Sequence, residues 1–151
     1  METDNILGKV RLATDKDISE IASIEQKCFA DPWSENAFRA SLNETTDIFV
    51  LETDGRIGGF AVFDRTLGTE AEIHVIAVDP DMRGKGFSNL LMDSIVGSAV
   101  KNGVGRIMLE VRASNEVAIS LYAKYGFEKV GLRPGYYRNP VESAILMDRV
   151  L

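Results

Sequence analysis

Polar and apolar positions change period several times along the chain, and each change marks a predicted element. Lys9 to Ala13 alternates, as a strand with one covered face does. Thr14-Asp15 then stands before Ile18, Ile21, Ile24 and Cys28, whose helical spacing predicts a helix with one apolar stripe. Ala30-Asp31-Pro32-Trp33-Ser34 interrupts it, because the residue before a proline avoids helical geometry, and Ser34 can cap a second, short helix through Leu42. Ile48 to Thr53 and Ile57 to Arg65 are β-rich runs joined at Asp54-Gly55, a pair suited to a tight hairpin. Glu70 to Val78 supplies a third strand, so the middle of the chain reads as an antiparallel meander.

After Val78 the pattern alters. Asp79-Pro80-Asp81-Met82-Arg83-Gly84-Lys85-Gly86 is a turn-rich loop, and Leu90, Leu91, Ile95 and Val96 follow at helical period up to Lys101-Asn102-Gly103. Arg106 to Val111 is an apolar strand. Ser114-Asn115 can cap a helix carrying Val117, Ala118, Leu121 and Tyr122, which Gly126 closes. Phe127 to Leu132 and Ser143 to Val150 read as strands around a Pro134-Gly135-Tyr136-Tyr137 connection. This is a mixed α/β chain of the α+β class, with about seven strands and about four helices. Its 151 residues, without repeat, linker or biased tract, predict one domain over 1–151.

Composition narrows the function. With 45% apolar and 26% charged residues the chain matches ordinary globular proteins, which excludes disordered and fibrous classes. Its net charge of −6 argues against direct nucleic-acid or anionic-membrane binding, so an anionic ligand must be held locally. No apolar stretch approaches a bilayer span, and Met1-Glu2-Thr3-Asp4 is acidic where a signal peptide is basic, so a cytoplasmic location is expected. Cys28 is the single cysteine and His74 the single histidine. That poverty of ligands predicts no metal, and Cys28 reads as a packing residue.

One loop answers the need for a local anion site. Arg83-Gly84-Lys85-Gly86-Phe87-Ser88 puts two glycines and two cations where a strand enters a helix, so unpaired backbone N–H groups and the helix dipole converge there. A pyrophosphate suits that point. The spacing fits neither a Walker loop nor a dinucleotide fingerprint. Read by itself, such a turn is more often a plain turn; its position before an amphipathic helix favours a ligand.

Two side chains stand out further on. Glu110 interrupts the apolar strand Ile107-Met108-Leu109-Glu110-Val111, where a carboxylate either pairs with Arg112 or Arg106 or faces a cleft. Tyr122, on the next helix, sits at core spacing and reads by itself as packing. His74 is a rival base on the strand before the glycine loop. Phe29, Trp33, Tyr136 and Tyr137 serve equally as loop anchors or as the lining of a peptide groove.

Arg83-x-x-Gly86-x-Ser88 resembles the Gln/Arg-x-x-Gly-x-Gly/Ala signature of the GNAT superfamily of N-acetyltransferases, with serine at the last position, and the order of elements over nearly the whole chain is similar to that fold. The resemblance implies a central, mostly antiparallel sheet with one splayed parallel pair. It also implies acetyl-CoA as cosubstrate, bound by backbone contacts from Ile76, Ala77 and Val78 and from Gly84, Lys85, Gly86, Phe87, Ser88 and Asn89, with Arg83 beside them. Leu109-Glu110-Val111-Arg112-Ala113-Ser114-Asn115, with Leu121-Tyr122 and Gly126-Phe127, resembles the RimI-type branch. Its members acetylate the N-terminal alanine of the eighteenth protein of the small ribosomal subunit. On that likeness Glu110 is the general base, Tyr122 the general acid and Asn115 a contact to the pantetheine arm. Phe29, Trp33, Arg133, Tyr136 and Tyr137 flank the peptide groove. The expected partner is the N-terminus of a ribosomal protein or a similar peptide, met by a monomer or a weak dimer. The alternatives are a small-molecule amine or less selective N-terminal acetyltransferase of the same fold, and a non-catalytic acetyl-CoA-binding protein.

Overall fold

A computed structural model describes residues 8–151. The acidic start at Met1 to Asp4 lies outside the described residues. In chain order the elements are β1 (Lys9–Leu12), α1 (Ile18–Cys28), α2 (Glu35–Ala40), β2 (Thr46–Thr53), β3 (Arg56–Asp64), β4 (Glu70–Val78), α3 (Phe87–Lys101), β5 (Arg106–Arg112), α4 (Glu116–Lys124), β6 (Glu128–Tyr137) and β7 (Glu142–Val150). The strands form one seven-stranded sheet in the order β1-β2-β3-β4-β5-β7-β6. Every neighbouring pair is antiparallel except β4 and β5.

Period-2 geometry divides the apolar runs between two cores. Ile48 and Val50 of β2, with Phe60 and Val62 of β3, pack on one face against Ile18, Ile21 and Phe38 of α1 and α2. Phe49 and Leu51, with Ala61 and Phe63, pack on the other face against Leu91, Met92 and Ile95 of α3. Both faces are covered, which is why β2 and β3 read as nearly continuous apolar runs. The hairpin between them turns through Asp54 (φ 50°) and Gly55 (φ 76°), as the Asp-Gly pair predicts.

One irregularity shapes the functional region. Val62 faces Val75 and Phe63 faces Ile73, so His74 is an extra, bulged residue in β4. The parallel pairing of β4 with β5 covers only Glu70–Ile73 against Arg106–Leu109. Beyond Ile73 the bulge bends β4 away and the two strands part. Each keeps its other neighbour, β3 and β7, so the splay leaves one edge of each strand unpaired.

The last hairpin corrects the sequence reading. Pro134-Gly135-Tyr136-Tyr137 does not connect two strands but lies within β6, as a bulge between Arg133 and Tyr137. The connection is at Arg138–Val141 instead. β6 is the sheet's edge, where a proline removes no ladder bond, and Gly135 at φ 62° takes the left-handed turn of the bulge.

Candidate active site

The splay opens a cleft of about 300 Å³. Its walls include Ile76 of β4, Glu110 of β5, Asn115 and Tyr122 of α4, Phe29 and Trp33 of the α1–α2 corner, and Tyr137. Ile107, Leu109 and Val111 of β5 are buried towards the α3/α4 core, so Glu110 faces the opposite side of the sheet from Tyr122. Because β4 has moved away, both side chains reach the same cleft from opposite faces.

The free edge of β4 supplies backbone donors. Asp79 N–H donates to Gly58 O (2.8 Å), and Ala77 lies opposite Phe60 two residues back in the same register. Alternation along the ladder therefore commits the N–H and C=O of Ala77 to β3, and turns those of Ile76 and Val78 into the splay. Of the three β4 residues named for backbone contacts, Ala77 has none to offer. The Val78 carbonyl is already used, accepting from Arg83 Nε (3.2 Å) and the Cys28 thiol (3.5 Å).

The glycine loop lies beyond the Ile76 end of the cleft and does not line its walls. Gly84 (φ 81°) and Gly86 (φ 78°) both hold the left-handed conformation, and Gly86 is the N-cap of α3. A Cβ at Gly84 would meet nothing within 4 Å, so the space over the turn is open. No acid stands in the first turn of α3, and the helix there presents orphan N–H groups. The Phe87 side chain is buried in the core, so only its backbone is available. Asn89 is tied to α4 through Lys124 Nζ (3.1 Å) and the Tyr125 hydroxyl (3.0 Å), which brings a third cation to a loop that already carries Arg83 and Lys85.

Glu110 pairs with neither expected arginine. Arg112 is taken by Glu142 (3.1 Å), and Arg106 by Glu70 (3.4 Å) and Asp148 (3.3 Å). Its partner is Arg133, at 2.8 Å. The Tyr136 hydroxyl is pushed above its ordinary pKa, first through its hydrogen bond to Glu110. Arg133 and Tyr136 thus reach the cleft only by way of Glu110. Burial is the main cause that holds the Tyr122 hydroxyl well above its ordinary pKa, and among the described residues it has no hydrogen-bond partner. Asn115 Oδ1 caps α4 by accepting from Ala118 N–H (3.1 Å), which leaves its amide N–H groups free to donate.

Trp33 packs against Phe38 (centroids 5.2 Å) and His74 (5.9 Å). His74 lines the cleft too, with Nε2 3.1 Å from Asp64. Asn139 of the β6–β7 connection donates to Asp31 of the α1–α2 corner (3.0 Å), so the two lips of the cleft touch. Sequence reasoning missed Glu25. It is 2% exposed, its Oε2 accepts from Trp33 N–H (3.1 Å), Oε1 is buried without a partner among the described residues, and burial raises its pKa. The signal was present, since Glu25 lies seven residues after Ile18 on the buried stripe. Cys28, read as packing, is half-buried in the cleft wall, and its thiol is pushed up by burial.

This geometry matches a known family. The acetyltransferase (GNAT) family model matches residues 18–127. The chain belongs to that family. The acetyltransferase is 38% identical over 133 residues to the Escherichia coli K12 "[Ribosomal protein bS18]-alanine N-acetyltransferase", covering 87% of this chain and 89% of the relative. It is 35% identical over 142 residues to the Mycobacterium tuberculosis "N-alpha-acetyltransferase RimI", covering 90% and 88%. The crystal structure of the Escherichia coli ribosomal-protein-S18-alanine N-acetyltransferase superposes with a TM-score of 0.89 at 34% identity, over 95% of this chain and 94% of that one. The protein is an acetyl-CoA-dependent N-acetyltransferase with the expected α+β fold. Among the described residues no group of three or more metal-ligating side chains gathers, and no helix is long and apolar enough to cross a membrane.

Proposed function

We propose that this acetyltransferase acetylates the α-amino group of an N-terminal alanine, that of ribosomal protein bS18, in the cytoplasm and as a monomer or weak dimer. The observation that carries the proposal is the meeting of Glu110 and Tyr122 in one cleft from opposite faces of the splay. Glu110 takes one proton from the α-ammonium, directly or through one water, which leaves the neutral amine. The nitrogen attacks the thioester carbonyl, whose oxygen accepts a hydrogen bond from the free N–H of Ile76 or Val78. As the new C–N bond forms the C–S bond breaks, Tyr122 gives its proton to the departing sulfur, and the second proton shed by the nitrogen restores the tyrosine through cleft water. Arg83 to Asn89 hold the pyrophosphate, and the amide of Asn115 donates to the pantetheine arm. Phe29, Trp33 and Tyr137 line the way in for the peptide.

The acceptor's basicity favours an N-terminus. An α-amine has a pKa of about 7.7 to 8.0 against about 10.4 for lysine, roughly 2.5 units or 3.5 kcal/mol less to deprotonate at neutral pH. A carboxylate base is adequate to that lighter task. The test is CoA release from acetyl-CoA with a peptide that carries the alanine-starting N-terminal sequence of bS18. Glu110→Gln should slow it about 10²-fold, and free alanine and polyamines should be far poorer acceptors. Equal efficiency on a small amine overturns the peptide assignment, and full activity of Glu110→Gln overturns the role of Glu110.

A further inference from the structure

The carboxylate that must meet the acceptor is already engaged. Arg133 Nη1 lies 2.8 Å from Oε2 of Glu110. Arg133 comes from the bulged segment of β6 that Gly135 turns. An amine that hands its proton to Glu110 must come within hydrogen-bond reach of it, and a guanidinium now fills part of that reach. The guanidinium and an incoming ammonium would compete for the same carboxylate and repel each other across it. One of them has to leave.

Arg133 is able to leave. Its side chain is 53% exposed, and among the described residues Glu110 is its only ion-pair partner. Its guanidinium carbon already stands 5.1 Å from the centre of the Tyr136 ring, a surface on which a released cation can rest. Arg112 is the contrast. It bonds Glu142 and the carbonyls of Pro140 and Arg138, and stacks 4.6 Å over Tyr137, so it is fixed from several sides.

We propose that Arg133 is a displaceable counter-ion, which holds the Glu110 carboxylate in position until the acceptor's α-ammonium takes its place. The inference rests on Glu110 as the proton acceptor. Arg133 is a positioning residue and takes no part in the transfer. The exchange also selects acceptors, because a neutral amide cannot replace the guanidinium, whereas an unhindered ammonium can.

Arg133→Met keeps most of the apolar stem and removes the charge. The KM for the alanine-starting peptide should fall about two- to five-fold, the size of a partly exposed ion pair, with kcat changed less than about twofold. In a Glu110→Gln background the same substitution should leave peptide affinity unmoved, as a double-mutant cycle requires of coupling through Glu110. Methylguanidinium added to Arg133→Met should compete with the peptide and raise KM again. A rise in KM for Arg133→Met marks Arg133 as a peptide contact and overturns the proposal, as does an equal shift in the Glu110→Gln background. Full activity of Glu110→Gln alone would instead remove the base, and with it the reading on which this inference stands.

Discussion

Replacing Tyr122 with phenylalanine removes one oxygen from a buried ring. That ring packs 5.8 Å from Phe127, and the hydroxyl has no partner among the described residues. The hydroxyl meets the cleft, where water can bond it, so its removal should change stability by less than about 1 kcal/mol, some 2 to 4 °C in a domain of this size. The rate should move much further. A general acid contributes about 10²-fold or more, and at 1.36 kcal/mol per decade the loss of this proton donor costs at least about 2.7 kcal/mol of transition-state stabilisation. Burial holds the hydroxyl above its ordinary pKa, so it stays protonated across the usual assay range and the substitution should not shift the acid limb of the pH profile. Steady-state CoA release at saturating peptide, beside a thermal melt, tests both halves. A kcat within twofold of the parent refutes the chemical role, and a melting point several degrees lower makes the hydroxyl structural.

Gly86→Ala meets open space, its nearest neighbour being Asn89 Nδ2 at 3.9 Å, so its cost is the φ of 78° alone, about 1 to 2 kcal/mol; the KM for acetyl-CoA should rise while that for peptide stays put in two-substrate kinetics. Asn115→Ala loses the cap on Ala118 N–H, about 1 kcal/mol. Asn115→Asp keeps the cap and loses only the amide donor, so it should melt like the parent yet bind acetyl-CoA more weakly by calorimetry. Glu25→Gln should raise the melting point at pH 7. The raised pKa of Glu25 means that its charged form is disfavoured in the fold, so the native protein is least helped by this carboxyl above its folded pKa and regains stability as pH falls towards the unfolded value. The gain from glutamine should therefore shrink as pH falls towards about 4, and a gain that is constant with pH contradicts it.

The order of elements is legible because most segments obey local rules. The Asp54-Gly55 turn, the Ser34 cap of α2 and the Asn115 cap of α4 all form where short-range chemistry places them. The β6–β7 hairpin departs from its pattern because Pro134 and Gly135 break a regular strand, whereas an edge strand absorbs them as a bulge. Glu110 stands out as a carboxylate in an apolar strand, but its partner Arg133, 23 residues on, depends on how that bulge aims β6. Local sequence favours neighbours such as Arg112, and Arg112 is captured by Glu142 across the β5–β7 ladder.

The feature that creates the site is the least visible in the sequence. His74 interrupts Ile73 and Val75 as one polar residue in an apolar run, a pattern that normally means alternation and not an extra residue. Its bulge puts Ile73 and Val75 in opposite cores, ends the pairing with β5 and frees Ile76 and Val78. The same opening separates charge along the cleft. Arg83, Lys85 and Lys124 gather at the glycine-loop end, while Glu25, Asp31 and Glu110 line the cleft itself. An acidic protein can therefore present a cationic seat to a pyrophosphate and an anionic one to an ammonium. Net charge describes neither seat, because the field at each is set by groups within a Debye length of about 10 Å.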